Sequence, residues 1–193
     1  MSQQTTLSRI RQRNGLSTMH EPSKTCCFTG HRPSKLPFGY DEEHPDCLRL
    51  KVMLLCEIDR LRGEGVNVFL SGMAQGVDIF AAEAVLDIRK AYPEVRLVAV
   101  VPFEGQADRW SPEYRERYFT ILAQADEVIT LRTRYAEGCL WERNRTMVDA
   151  SSHLVAVWGG GAGGTKQTVE YARKKGLRVM VIDPVTMKRS RME

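Results

Sequence analysis

Two glycine-rich turns and the polar residues around them carry the chemistry open to this sequence. The first is Ser71-Gly-Met-Ala-Gln-Gly-Val-Asp78, which follows the apolar run Val66–Leu70 and precedes an apolar-periodic run from Val77 to Ile88. That order reads as strand, tight turn and helix start. Gly72 and Gly76 would let backbone N–H groups approach a ligand, Ser71, Met73 and Asp78 lie at the helix entry, and the helix N-terminus favours an anion. The second turn is Gly159-Gly-Gly-Ala-Gly-Gly-Thr165, again between a strand and a helix. Gly159, Gly161 and Gly164 satisfy the G-x-G-x-x-G spacing of a dinucleotide loop, with Asp183 ending the next strand where a ribose hydroxyl would be held. So many glycines satisfy several registers, so the safer expectation is a loop whose amides at Gly160, Gly161, Gly163 and Gly164, with the Thr165 hydroxyl, wrap a phosphate.

Three further segments add side chains. Gly30-His31-Arg32 follows the first predicted strand and supplies charge-assisted donors for phosphate or carboxylate. Pro102-Phe103 leaves another strand, where a ring could cover a base. Asn144, on a helix with Arg143 and Arg145, could hydrogen-bond a ribose or base. Glu170, Asp78 and Glu83 are the candidate carboxylates for a hydrolytic reaction. There is no Ser-His-Asp order, no metal-ligand spacing and no Walker lysine pattern.

These loops need a scaffold that brings strand ends together. Predicted strands at Thr25–Phe28, Val66–Leu70, Val95–Val101, Asp126–Leu131, His153–Trp158 and Arg178–Ile182 alternate with helices. Most strands are continuous apolar runs, as a parallel sheet covered on both faces requires. The expected fold is therefore α/β: a single doubly wound, Rossmann-like, mostly parallel sheet of about six strands with helices on both faces. The helix over about 46–62 should bury Leu48, Val52, Leu55, Ile58 and Leu61. Residues 1–23 read as a disordered tail, 24–184 as the domain, and 185–193 as a frayed basic tail.

Composition narrows the function classes. The chain has 193 residues, 42% hydrophobic and 27% charged, and no apolar run long enough to span a bilayer. The N-terminus lacks the apolar segment of a signal peptide. The odd count of five cysteines, without C-x-x-C spacing, fits a reducing cytoplasm and argues against a disulfide framework or zinc site. The formal charge of +4 is concentrated in the two tails, which leaves the body close to neutral. That argues against nucleic acid as a partner. A homodimer is left open.

Taken in order, Thr29-Gly-His-Arg-Pro33, Ser71 to Asp78, Val101-Pro-Phe103 with Trp110, Arg143-Asn144 and the glycine loop before Thr165 resemble the SLOG superfamily of Rossmann-like proteins, specifically its YpsA/YoqJ-like group. The resemblance covers about residues 25–184. The S-G-x-A-x-G-x-D element is also similar to that of the DNA-processing protein DprA (Smf), and the G-G-T step to the LOG phosphoribohydrolases. The resemblance implies a nucleotide or nucleotide-derived ligand, such as an NAD- or ADP-ribose-like molecule, held between the glycine loops. LOG enzymes carry P-G-G-x-G-T-x-E-E, whereas Gln167 stands here at that carboxylate position, and glutamine cannot serve as a general acid or base. A sensor-type binding protein is thus expected ahead of an N-glycoside or phosphoribosyl hydrolase, with a DprA-like DNA binder behind both.

Overall fold

The structure, a computed structural model, describes residues 10–11 and 20–192. Its elements run β1 (Ile10–Arg11), β2 (Thr25–Gly30), α1 (Pro45–Gly63), β3 (Val68–Ser71), α2 (Val77–Ala91), β4 (Arg96–Val101), α3 (Pro112–Gln124), β5 (Glu127–Thr130), α4 (Cys139–Asp149), β6 (His153–Val157), α5 (Gly164–Lys174), β7 (Arg178–Ile182) and β8 (Arg189–Met192). The strands form one eight-stranded sheet in the order β1-β5-β4-β3-β2-β6-β7-β8. All pairs are parallel except β7 with β8.

Strand chemistry sets this arrangement. Along β2 the side chains alternate between the two faces of the sheet. Cys26 and Phe28 join one apolar cluster with Phe69, Leu97, Val155 and residues of α1, α2 and α3. Cys27 joins the other with Leu70, Leu154, Val179 and residues of α4 and α5. Both faces are therefore apolar, which accounts for the continuous runs in the sequence. The chain lays β2 to β5 side by side, then returns to add β6 and β7 on the other side of β2. Strand order reverses between β2 and β6, which places the ligand crevice of such a sheet at their carboxyl ends.

Three expectations change. The sheet has two strands more than the expected six, and both lie in the predicted tails. Ile10–Arg11 pairs with β5, and Arg189–Met192 pairs antiparallel with β7 through its backbone, which its polar sequence does not advertise. The remainder of the N-terminal tail, 1–9 and 12–19, lies outside the described residues, whereas His20 reaches Glu127 at 3.1 Å. The third change is the face of α1. It buries Cys47, Leu50, Leu54, Ile58 and Leu61, and leaves Leu48, Val52 and Leu55 exposed. The helix carries two apolar stripes, and the one that packs on the sheet contains Glu57, whose buried carboxylate pairs with Arg60 at 2.6 Å and Arg189 at 3.7 Å.

Candidate functional site

The first glycine turn is closed on itself. Ser71 Oγ donates to the Asp78 carbonyl at 2.8 Å and accepts from Met73 N at 3.1 Å. Gln106 Nε2 donates to the carbonyls of Gly72 and Met73, at 3.2 and 2.8 Å. Met73 is fully buried and held at φ 56, outside the regions favoured by side-chain-bearing residues. Gly72 is required for a different reason from the one its sequence suggests. A Cβ there would lie 1.1 Å from Arg143 Nη1, so the space a side chain would take is filled by a guanidinium from α4.

That guanidinium pairs with Asp78 Oδ2 at 3.0 Å, with both side chains almost wholly buried. Asp78 also accepts from Ala74 N. Burial pushes its carboxyl upward, against the downward pull of Arg143, the Ala74 N–H and Arg32. Ser71, Met73 and Asp78, expected as ligand residues, are thus spent on fixing the turn. Gly30 and Gly76 serve the same packing. A Cβ on Gly30 would meet Val77 at 2.5 Å, and one on Gly76 (φ +88) would meet the His31 carbonyl at 2.7 Å. They let the β2 exit lie against the α2 N-terminus.

The second glycine loop is open. A Cβ on Gly160, Gly161 or Gly164 would find nothing within 4 Å. Packing therefore does not explain these glycines. Trp158 Nε1 holds the loop by donating to the Gly161 carbonyl at 2.7 Å. The N-cap position of α5 is Gly163 (φ 133) and that of α4 is Gly138 (φ 79), so neither helix has a side-chain cap. Both N-termini border one pocket of about 230 Å³, lined by Gly138, Cys139, Asn144, Gly164 and Gln167 among others. Their free first-turn donors and dipoles make that pocket electropositive. Lys35 Nζ adds to it, 3.4 Å from where a Gly163 Cβ would stand. His31, half-buried, has its pKa lowered by burial and then by Lys35.

Tyr135 and Leu140 are shared with a larger neighbouring cavity of about 1130 Å³. Phe103 stands edge-on to Tyr135 there, with centroids 5.5 Å apart. Arg32, Arg109 and Arg134 also line it and make no ion pair among the described residues. The structure therefore gathers Arg32, Phe103, Asn144 and the second glycine loop along one cleft. Sequence reasoning missed Lys35, Gln106, Arg109, Arg134 and Tyr135. Their signal was position alone, since each lies in the loop that follows a strand end.

Asn144 itself and the other candidates are held by contacts of their own. Asn144 spends its amide on Thr168 Oγ1 at 2.9 Å, which in turn donates to the Gly164 carbonyl, so it ties α4 to α5. Pro102 is buried. Asp183 Oδ1 accepts from Val185 N at 2.8 Å and Thr186 N at 3.3 Å, bonds that lower its pKa and engage it in its own turn. Glu83 is held by Arg117 at 2.6 Å in a groove between α2 and α3, away from the cleft. Glu170 is exposed and 3.6 Å from Lys166. Among the described residues, no group of three or more His, Cys, Asp or Glu comes together as a metal site. No helix among them is long and apolar enough to cross a membrane.

A doubly wound sheet with a glycine loop at its switch point defines a Rossmann-like protein. The chain belongs to the YspA SLOG family, whose model matches residues 26–188. It is 33% identical over 157 residues to UPF0398 proteins of Bacillus thuringiensis (strain Al Hakam) and Bacillus cereus (strain AH187), covering 79% of this chain and 84% of each relative. Among solved structures it is similar to DNA processing protein A from Helicobacter pylori, described for its single-stranded DNA binding mode, with a TM-score of 0.56 at 20% identity over 84% of this chain and 66% of that one. The Streptococcus pneumoniae DprA gives the same TM-score of 0.56 at 17% identity, over 83% of this chain and 50% of that one. The chain thus spans between half and two-thirds of those proteins, and the likeness is one of fold.

Proposed function

We propose that the protein is a cytoplasmic binding module for a nucleotide-type ligand. Its phosphate end would rest on the α4 and α5 N-termini, and its base and ribose would occupy the cavity beside Phe103 and Tyr135. One observation carries the reading: two uncapped helix N-termini border a single small pocket that adjoins an aromatic cavity with three arginines that make no ion pair among the described residues. Anionic groups are stabilised at such termini, and planar guanidiniums match phosphate oxygens. Binding is favoured over hydrolysis because the three candidate carboxylates are engaged: Asp78 with Arg143, Glu83 with Arg117 and Glu170 with Lys166. Isothermal titration with AMP, ADP, NAD and ADP-ribose tests it. Saturable binding weakened by Arg32→Gln and Arg109→Gln is expected, and heat-silent titrations for all of them would sink the proposal.

A second reading is single-stranded nucleic acid, since arginines interleaved with exposed rings also suit stacked bases. The near-neutral body weighs against it. It predicts oligonucleotide binding that falls steeply with salt, measured by fluorescence anisotropy, whereas the nucleotide reading predicts none.

A further inference from the structure

The amino-terminal end of the sheet, opposite the cleft, carries a second recess of about 510 Å³ between the C-terminal half of α1 and strands β6, β7 and β8. Apolar side chains of Leu61, Val155 and Met180 contribute to its lining. Four arginines also line it against two glutamates, Glu57 and Glu64. Both glutamates are already paired: Arg60 holds Glu64 and Glu57, the latter at 2.6 Å, and Arg189 lies 3.7 Å from the other Glu57 oxygen. Arg178 and Arg191 make no ion pair among the described residues and are exposed. The recess therefore has an excess of positive charge at its mouth.

Its depth holds an unfinished hydrogen bond. His153 is only 8% exposed, and its Nδ1 lies 2.8 Å from Ser152 Oγ. The other ring nitrogen, Nε2, is buried with no hydrogen-bond partner among the described residues. A polar atom buried and unpaired is costly and points to a missing partner. His153 and Arg178 are register partners on adjacent strands, so the ring and the guanidinium flank the same spot. Burial, then Arg178, lowers the imidazole pKa, which leaves a neutral ring able to exchange one hydrogen bond with a hydroxyl.

We propose that this recess binds a small amphipathic anion: its carboxylate on Arg178 and Arg191, its apolar body on Leu61, Val155 and Met180, and a hydroxyl at His153 Nε2. The volume falls in the range of small-molecule pockets, roughly 300–1,000 Å³. The site is separate from the cleft, because β6 carries His153 at its start and leads to the glycine loop only at its end.

The test is a titration of the full chain with para-hydroxyphenylpropionate and with ω-hydroxydecanoate, followed by NMR of the imidazole protons. The chain has four histidines, so the resonances are few, and His20→Gln, His31→Gln and His44→Gln variants assign them by elimination. At least one probe should shift the His153 resonance saturably while leaving His31 in place, and the better of the two tells an aryl from an alkyl ligand. The double variant Arg178→Gln/Arg191→Gln, altered only at exposed positions, should weaken binding by about tenfold or more, whereas Arg32→Gln should not change it. No saturable shift with either probe, equal affinity in the double variant, or loss of binding in Arg32→Gln would each overturn the proposal.

Discussion

Replacing Gly72 with alanine tests the lock beneath the cleft. Gly72 does not adopt a positive φ, so the new methyl group would bring no backbone strain. Its effect is steric: the added Cβ lies 1.1 Å from Arg143 Nη1, 2.2 Å from its Cζ and 2.8 Å from Asp78 Oδ2. Those atoms cannot stay in place, and the guanidinium must leave a carboxylate that burial already penalises. Breaking a buried ion pair costs about 3–5 kcal/mol. For a chain of this size that lowers Tm by about 6–20 °C, at roughly 2–4 °C per kcal/mol. Urea unfolding followed by circular dichroism measures it for Gly72→Ala, Arg143→Ala and the double variant. Because both substitutions remove the same pair, the double variant should be little worse than either single one, giving a coupling of several kcal/mol. Additive losses, or a Gly72→Ala cost below about 1 kcal/mol, would refute the argument that Arg143 occupies the place of that side chain.

Other outcomes follow from the same geometry. Gly163→Ala, at φ +133, should cost about 1 kcal/mol or more in urea unfolding, while Gly161→Ala, with open space and no positive φ, should be close to neutral. His31 and His153 both have lowered pKa values in the fold, so the unfolded chain binds their protons first. Stability should therefore fall as pH drops below the ordinary histidine value of about 6.5, and the urea midpoint of His31→Gln should fall less steeply. Cys56 is the exposed thiol, the other four cysteines are buried, and burial pushes Cys27 up to about 12. Iodoacetamide at neutral pH should then add one label to the native protein by mass spectrometry, at Cys56, and several in urea.

The strands and helices of the domain were legible because both faces of the sheet are apolar and helix ends carry glycine or proline. The direction of α1 about its axis was not. Leu48, Val52 and Leu55 have the same spacing as a buried stripe, and only the packing of Cys47, Leu50 and Leu54 into one cluster with Phe28, Phe69 and Phe80 shows which stripe is covered. The two glycine turns looked alike in sequence and differ in role for a long-range reason. Arg143, supplied by a helix 65 positions from Asp78, fills the first turn, whereas no described residue fills the side-chain space at Gly160, Gly161 or Gly164 in the second. Arg109, Arg134 and Tyr135 carry no motif, since a polar loop residue acquires meaning only when its strand is placed beside another. β8 was hidden because an antiparallel edge strand is held by backbone bonds and asks little of its side chains.

The switch point also bears on how the domain is assembled. β2 and β6 pair across a long stretch of chain, with Cys27 Sγ donating to the His153 carbonyl over 126 positions. β3, β4 and β5 can each add to their predecessor through one helix, but β6 must wait until the chain returns. Closing so long a loop costs entropy before its contacts repay it, so the crevice between the β2 and β6 exits is expected to form after the β2–β5 half. On that order, a molecule bridging Arg32 and the Gly159–Thr165 loop would grip contacts made after the folding transition state. Such a ligand would leave the folding rate nearly unchanged and slow unfolding, so that the occupied protein gains lifetime as well as equilibrium stability.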